Sequence, residues 1–218
     1  MSKISICADV TIPYDAQTKE QIYESEMNLY RIKQECEGWK GNVPVSWYVP
    51  YAAAASRIRL RIAEISRSTQ PVHELGIAVK EDLEGQPESY QRGILANVKT
   101  VVETARYCGS PLNVITGCLP HGHDQTTIDV LASMDIPMCV GGNFPVNAIP
   151  LSDKAAKESG LSAADWLNVL KDAVLSGEDL VIILDTSISG NGDWLTTFKA
   201  YIKWAKANGG VFILARDM

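Results

Sequence analysis

Short apolar runs alternate along this chain with longer stretches that repeat their apolar residues every three to four positions. The runs at 3–8, 44–49, 72–79, 112–117, 137–140, 180–185 and 211–215 are too brief for ordinary helices, and several are rich in Val and Ile, so each predicts a strand. Most show little polar alternation. That suits strands covered on both faces, as in a parallel sheet flanked by helices.

The intervening stretches predict helices. Residues 18–37 place Ile22, Leu29, Ile32 and Cys36 on one face. The stretch 87–108 opens at Pro87, ends before Gly109 and Pro111, and aligns Ile94, Val98, Val101, Val102 and Ala105. Segment 162–175 begins with Ser162 and has Asp165 three residues on, a capping signature. The last helix, 193–208, aligns Leu195, Phe198, Ile202 and Ala205 and stops at Asn208-Gly209-Gly210. Strand and helix in alternation imply right-handed parallel crossovers. The expected fold class is α/β, an irregular (β/α) barrel of about seven parallel strands, with an open doubly wound sheet as the alternative. No repeat or linker divides residues 1–218, which are expected to form one domain. The stretch 141–161 is expected to wander irregularly across one end of the sheet.

Composition narrows the function classes. A hydrophobic share of 46% gives ample material for one core, and a net charge of -6 argues against a nucleic-acid binder, which needs a basic face. The densest basic stretch, Arg57, Arg59, Arg61 and Arg67, reads as a solvated helix face. No run approaches the ~18 apolar residues of a membrane span, and residues 1–6 lead straight into a strand without a signal-peptide pattern. The five cysteines, Cys7, Cys36, Cys108, Cys118 and Cys139, show no CxxC pairing and read as reduced, mostly buried thiols. A cytoplasmic protein is the expectation, with Cys118 the one thiol near other suspected chemistry.

In either architecture ligands meet the sheet at the carboxyl ends of its strands. The candidates there are Asp9, Thr11, Tyr14 and Asp15 after the first strand, Trp47-Tyr48 and Tyr51 at the second, Lys80-Glu81-Asp82 beyond the third, Gly117 to Asp124 after the fourth, Gly141-Gly142-Asn143 after the fifth, and Asp185-Thr186-Ser187 after the sixth. His121-Gly122-His123-Asp124 carries two of the three histidines. Imidazoles two residues apart can hold one Zn²⁺ or similar divalent ion if a carboxylate such as Asp9 or Asp185 completes the set, and such an ion activates water for hydrolysis. The plainer reading makes Asp124 a helix cap and the histidines exposed loop residues. His73 falls at the opposite end and reads as structural. The aromatics Trp47, Tyr48 and Tyr51 offer a stacking platform for a sugar, although Trp47 and Tyr48 must face opposite ways, with core the expected place of Trp47. Neither a phosphate loop nor a GxSxG elbow is present.

The order of segments resembles the polysaccharide deacetylase (chitooligosaccharide deacetylase-like) family over nearly the whole chain. The matching features are Ile4-Ser-Ile-Cys-Ala-Asp9, Val43-Pro-Val-Ser-Trp-Tyr-Val49, His73-Glu-Leu-Gly76, Pro120-His-Gly122 leading to Thr127 and Leu131, and residues 180–215 with Gly209-Gly-Val-Phe212. The resemblance implies an irregular (β/α) barrel in which an aspartate and two histidines hold a divalent metal that polarises an acetamide, while a second aspartate deprotonates water. Only the metal aspartate carries over, as Asp9. The base position is Ala8, the histidine positions are Ala78 and Asp82, the arginine position is Cys118, the tyrosine position is His121, and the late Leu-His-Asp is Leu184-Asp185 without its histidine.

Two expectations follow for function. The barrel either hydrolyses an amide or N-acyl bond of a sugar-like substrate at a rebuilt metal site, with Asp9, Asp82, His121 and His123 as ligands and His121, His123 and Asp185 as catalytic groups, or it is an inactive binding or regulatory module for a saccharide or small molecule. An amidohydrolase-type barrel ranks third, because its His-x-His pair follows the first strand. A metallo-β-lactamase-type site fits less well still.

Overall fold

The computed structural model describes residues 2–12, 18–37, 42–106, 115–140, 142 and 148–218. In chain order its elements are β1 (Lys3–Asp9), α1 (Lys19–Cys36), β2 (Val45–Pro50), α2 (Tyr51–Ala54), α3 (Arg59–Ser66), β3 (Glu74–Asp82), α4 (Glu88–Arg106), β4 (Ile115–Gly122), α5 (Gln125–Ser133), β5 (Met138–Cys139), β6 (Ala148–Ser152), α6 (Asp153–Glu158), α7 (Ala163–Leu175), β7 (Asp179–Asp185), α8 (Thr186–Ser189), α9 (Gly192–Ala207) and β8 (Val211–Ile213). A short 3₁₀ turn, Ala215–Asp217, follows.

Every strand pairing is parallel, in the order β5-β4-β3-β2-β1-β7-β6. β8 takes the amino-terminal half of β1, Lys3 to Ser5, below the point where β2 begins its pairing at Ile6. Seven strands thus form a curled half-barrel, as the alternation predicts. No pairing joins β5 to β6 among the described residues.

Alternation along the strands sorts side chains onto two faces. One face packs against helices: Ile4, Ile6, Ala8, Val45, Trp47, Ile77 and Val79 share a core with Leu29 and Ile32 of α1, Val98 of α4 and Leu170 of α7. The other, inner face is smaller, with Cys7, Tyr48, Ala78, Met138 and Val181 at its centre. Trp47 is therefore core on the helix side, and Tyr48 is equally buried on the inner side. The Tyr48 ring lies across β3 and β4 where both strands carry glycine. A Cβ at Gly76 would stand 2.6 Å from the ring, and one at Gly117 would stand 3.1 Å from the hydroxyl.

Polar residues close the amino-terminal end of the inner face. Buried Glu74 accepts hydrogen bonds from Ser46 Oγ and Thr116 Oγ1, and the Arg216 guanidinium stands 3.6 Å from it. His73 lies at this same end, as expected, with Nδ1 accepting from the Val45 amide and Nε2 3.4 Å from Glu37. Burial pushes the Glu37 carboxyl up, but hydrogen bonds from His73, Lys33 and Ser68 win and hold it at about 2. The arginines of the basic stretch lie on α3 or flank it, Arg57 before and Arg67 just after. Arg57 and Arg61 pair with Glu26 of α1, and Arg61 also holds Glu64.

Two predicted boundaries move in ways that matter for the site. β3 and β4 continue past the expected ends at 79 and 117, so Lys80-Glu81-Asp82 and His121-Gly122 are strand residues rather than loop residues. The start of the fourth predicted strand, 112–114, and the end of the second predicted helix, 107–108, lie outside the described residues. The stretch 141–161 is not irregular where described, since it holds β6 and α6. Pro150 sits mid-strand there, which an edge strand tolerates: among the described residues β6 pairs only with β7.

Candidate functional site

The carboxyl ends of the strands gather the charged residues. β1 and β7 run in register to their last residues, so Asp9 lies directly beside Asp185. Both share the parity of the inner-face residues Cys7 and Val181. On the far side of β2, Val79 pairs with Pro120 and Asp82 with Gly122, leaving Lys80 and Glu81 opposite the single residue His121. This bulge re-aims the Lys80 side chain. Its ammonium crosses the carboxyl end of β2 and donates to both oxygens of Asp9, at 2.7 and 2.5 Å.

Asp9 is only 16% exposed at its side chain. Burial pushes its carboxyl up, the Lys80 charge and hydrogen bond pull it down, and the neighbouring Asp185 charge raises it again. Asp185 is itself occupied. Its Oδ1 accepts from the Ser187 amide at 2.8 Å and the Ser187 hydroxyl at 2.6 Å, capping α8.

A third carboxylate, Asp153, lies against Asp185, and the sequence reading missed it. It opens α6, is fully buried, and accepts from the Asp185 amide at 2.9 Å and the Ser189 hydroxyl at 2.5 Å. Burial outweighs these hydrogen bonds and pushes it up to about 7. The local signal was Ser152-Asp153, a helix cap directly after an Ile-Pro-Leu run.

The other predicted site residues lie elsewhere on this rim. His121 is exposed and has no hydrogen-bond partner among the described residues. His123 and Ile128 both lie against Gly142, where an added Cβ would stand 3.1 Å from the His123 Nε2. Asp82 accepts from the Glu84 amide at 3.1 Å, and its carboxylate lies against Gly122. Asp124 caps α5, as the plainer reading has it, accepting from the Thr127 amide and also from Gly85. Those backbone hydrogen bonds, Gly85 first, hold it at about 2. Tyr14, Asp15, Gly141 and Asn143 lie outside the described residues. Cys118 is buried, and burial pushes its thiol well up, which leaves little thiolate for a nucleophilic role.

The donor set does not fit a divalent metal as assembled. Among the described residues no three His, Cys, Asp or Glu side chains are grouped to hold an ion. Asp9 is brought beside Asp185 but not into a group with Asp82, His121 and His123, and a lysine ammonium already occupies both Asp9 oxygens. The positions where the resemblance puts imidazoles carry buried Ala78 and the Glu84-bound Asp82.

The ion pair makes a direct prediction. Lys80→Met keeps an unbranched stem but leaves Asp9 beside Asp185 without a cation. Stability at pH 8 is expected to fall by about 1 kcal/mol, since the pair is partly exposed, with a smaller loss at pH 5, where Asp9 can protonate. Urea midpoints at the two pH values check this, and equal losses would count against the ion pair.

No protein-family model matches the sequence, and no curated protein matches it. Solved structures do. An allantoinase, Puue, superposes with a TM-score of 0.75 at 15% identity, over 99% of this chain and 88% of that one. A probable polysaccharide deacetylase from Pseudomonas aeruginosa PAO1 gives 0.72 at 14% identity, over 99% and 88%. A mutant of BA3943, a CE4-family pseudoenzyme from Bacillus anthracis, with restored enzymatic activity gives 0.66 at 10% identity. This chain is covered over 97% of its length and spans 65% of that protein. At these identities the likeness establishes the polysaccharide deacetylase-like fold.

Proposed function

We propose that this protein is a deacetylase-fold module that binds a saccharide at the carboxyl ends of its strands without a metal ion and without hydrolysing it. The Lys80–Asp9 ion pair carries this reading. It puts a fixed positive charge on the one carboxylate that the resemblance assigns to a metal. The residue before it, Ala8, has no proton-accepting group where that chemistry needs a base.

Metal-assisted hydrolysis by Asp9, Asp82, His121, His123 and Asp185 would require Lys80 to leave Asp9 and the five side chains to gather in a group that they do not form. A saccharide as ligand is supported by the polysaccharide deacetylase and CE4 neighbours. No helix of the described residues is long and apolar enough to cross a membrane. The buried thiols of Cys7, Cys36, Cys118 and Cys139 suit a reducing compartment, and on that basis we place the protein in the cytoplasm.

The test is titration with chitotriose in EDTA and again with added Zn²⁺, alongside an assay for released acetate. The expected outcome is the same affinity in both buffers and no acetate. Zn²⁺-dependent acetate release that EDTA abolishes would reinstate the hydrolase.

A further inference from the structure

The β3 bulge that turns Lys80 toward Asp9 also borders a separate hollow of about 330 Å³, between the carboxyl ends of β2 and β3 and the first half of α4. That volume lies at the small end of ligand pockets, ~300–1,000 Å³, and suits one ring rather than a chain. Tyr51 and Ala52 of α2, Lys80 and Glu81 of β3, and Ile94 and Asn97 of α4 are among the residues that line it.

Three features define what would bind. Tyr51 is 46% exposed, so its ring is available for stacking. Neither Glu81 nor Asn97 has a hydrogen-bond or ion-pair partner among the described residues, so a carboxylate and an amide are both open to a ligand. The charges are also unequal, because Asp9 neutralises Lys80 while Glu81 keeps an unbalanced negative charge.

We propose that this hollow is a subsite for an amino sugar, with the ring over Tyr51, hydroxyls on Asn97 and the ammonium on Glu81. The inference rests on the saccharide-binding reading and deepens it: the preferred unit carries a free amine rather than an N-acetyl group or a carboxylate. A cation near an aromatic face adds to the preference.

The experiment is a ¹⁵N chemical-shift titration of the full chain with glucosamine, N-acetylglucosamine and glucuronate. Glucosamine is expected to move the Tyr51, Ala52, Ile94 and Asn97 amides and to bind at least fivefold tighter than N-acetylglucosamine, with glucuronate weakest. Glu81→Gln should erase the preference for glucosamine, and the exposed change Ala52→Trp should weaken all three by tenfold or more while the rest of the spectrum stays unchanged. Shifts confined to Asp153, Asp185 and their neighbours would overturn the subsite but leave the module reading standing. Tightest binding of glucuronate would overturn the charge argument and the proposal with it. No shift with any of the sugars, together with no binding of chitotriose, would overturn both.

Discussion

Gly76→Val is expected to destabilise the fold by about 3 kcal/mol or more, although valine is intrinsically the better strand residue. The physical reason is the Tyr48 ring. A Cβ at position 76 would meet two ring carbons at 2.6 Å and the Gly117 carbonyl oxygen at 2.7 Å. Neither neighbour has room to move, because Tyr48 is 1% exposed and the carbonyl belongs to β4. Paired with Tyr48→Ala, which empties the space, the change should cost markedly less than on its own, so a double-mutant cycle by urea denaturation isolates the clash. Equal costs with and without Tyr48 would show that the inner face is not packed as described.

The second large effect is a dependence on pH. Asp153 titrates near 7 in the fold against 3.8 when unfolded. Between those values the folded state holds a proton that the unfolded chain has released, so stability falls as pH rises from about 4 to about 7 and then levels off. About three units correspond to up to roughly 4 kcal/mol. Asp9, also raised, acts in the same direction. Glu37 opposes them only at lower pH, because its depressed value adds stability as pH climbs from about 2 through 4.5. Asp153→Asn cannot ionise and should flatten the fall between pH 4 and 7, leaving the variant more stable than the parent at pH 8. A parent whose stability rises across that window would contradict the buried carboxylic acid.

Much of this arrangement was legible in the sequence. Apolar runs without polar alternation gave parallel strands, and Asp9 and Asp185 followed from placing acids at the carboxyl ends of two of them. Their adjacency did not follow, because neither run says that β1 and β7 are neighbours in register. Lys80 was on the candidate face, but its role was hidden by the assumption that β3 stopped at Val79. Only the bulge opposite His121 sends its ammonium across β2. Asp153 was missed because 141–161 was expected to be irregular, whereas it holds β6 and α6, with Asp153 at the start of that helix. The His121–His123 pair drew attention because imidazoles are rare in this chain. Spacing alone could not reveal that one is exposed on a strand and the other packed against Gly142.

The Lys80 ammonium balances the Asp9 carboxylate, and we propose that it does so in place of a metal ion. Elemental analysis of protein purified without chelator, followed by thermal melts with EDTA and with Zn²⁺, addresses it most directly. Far less than one equivalent of transition metal per chain is expected, with a melting temperature that neither reagent shifts. One bound equivalent that survives gel filtration and disappears in Asp9→Asn would contradict it.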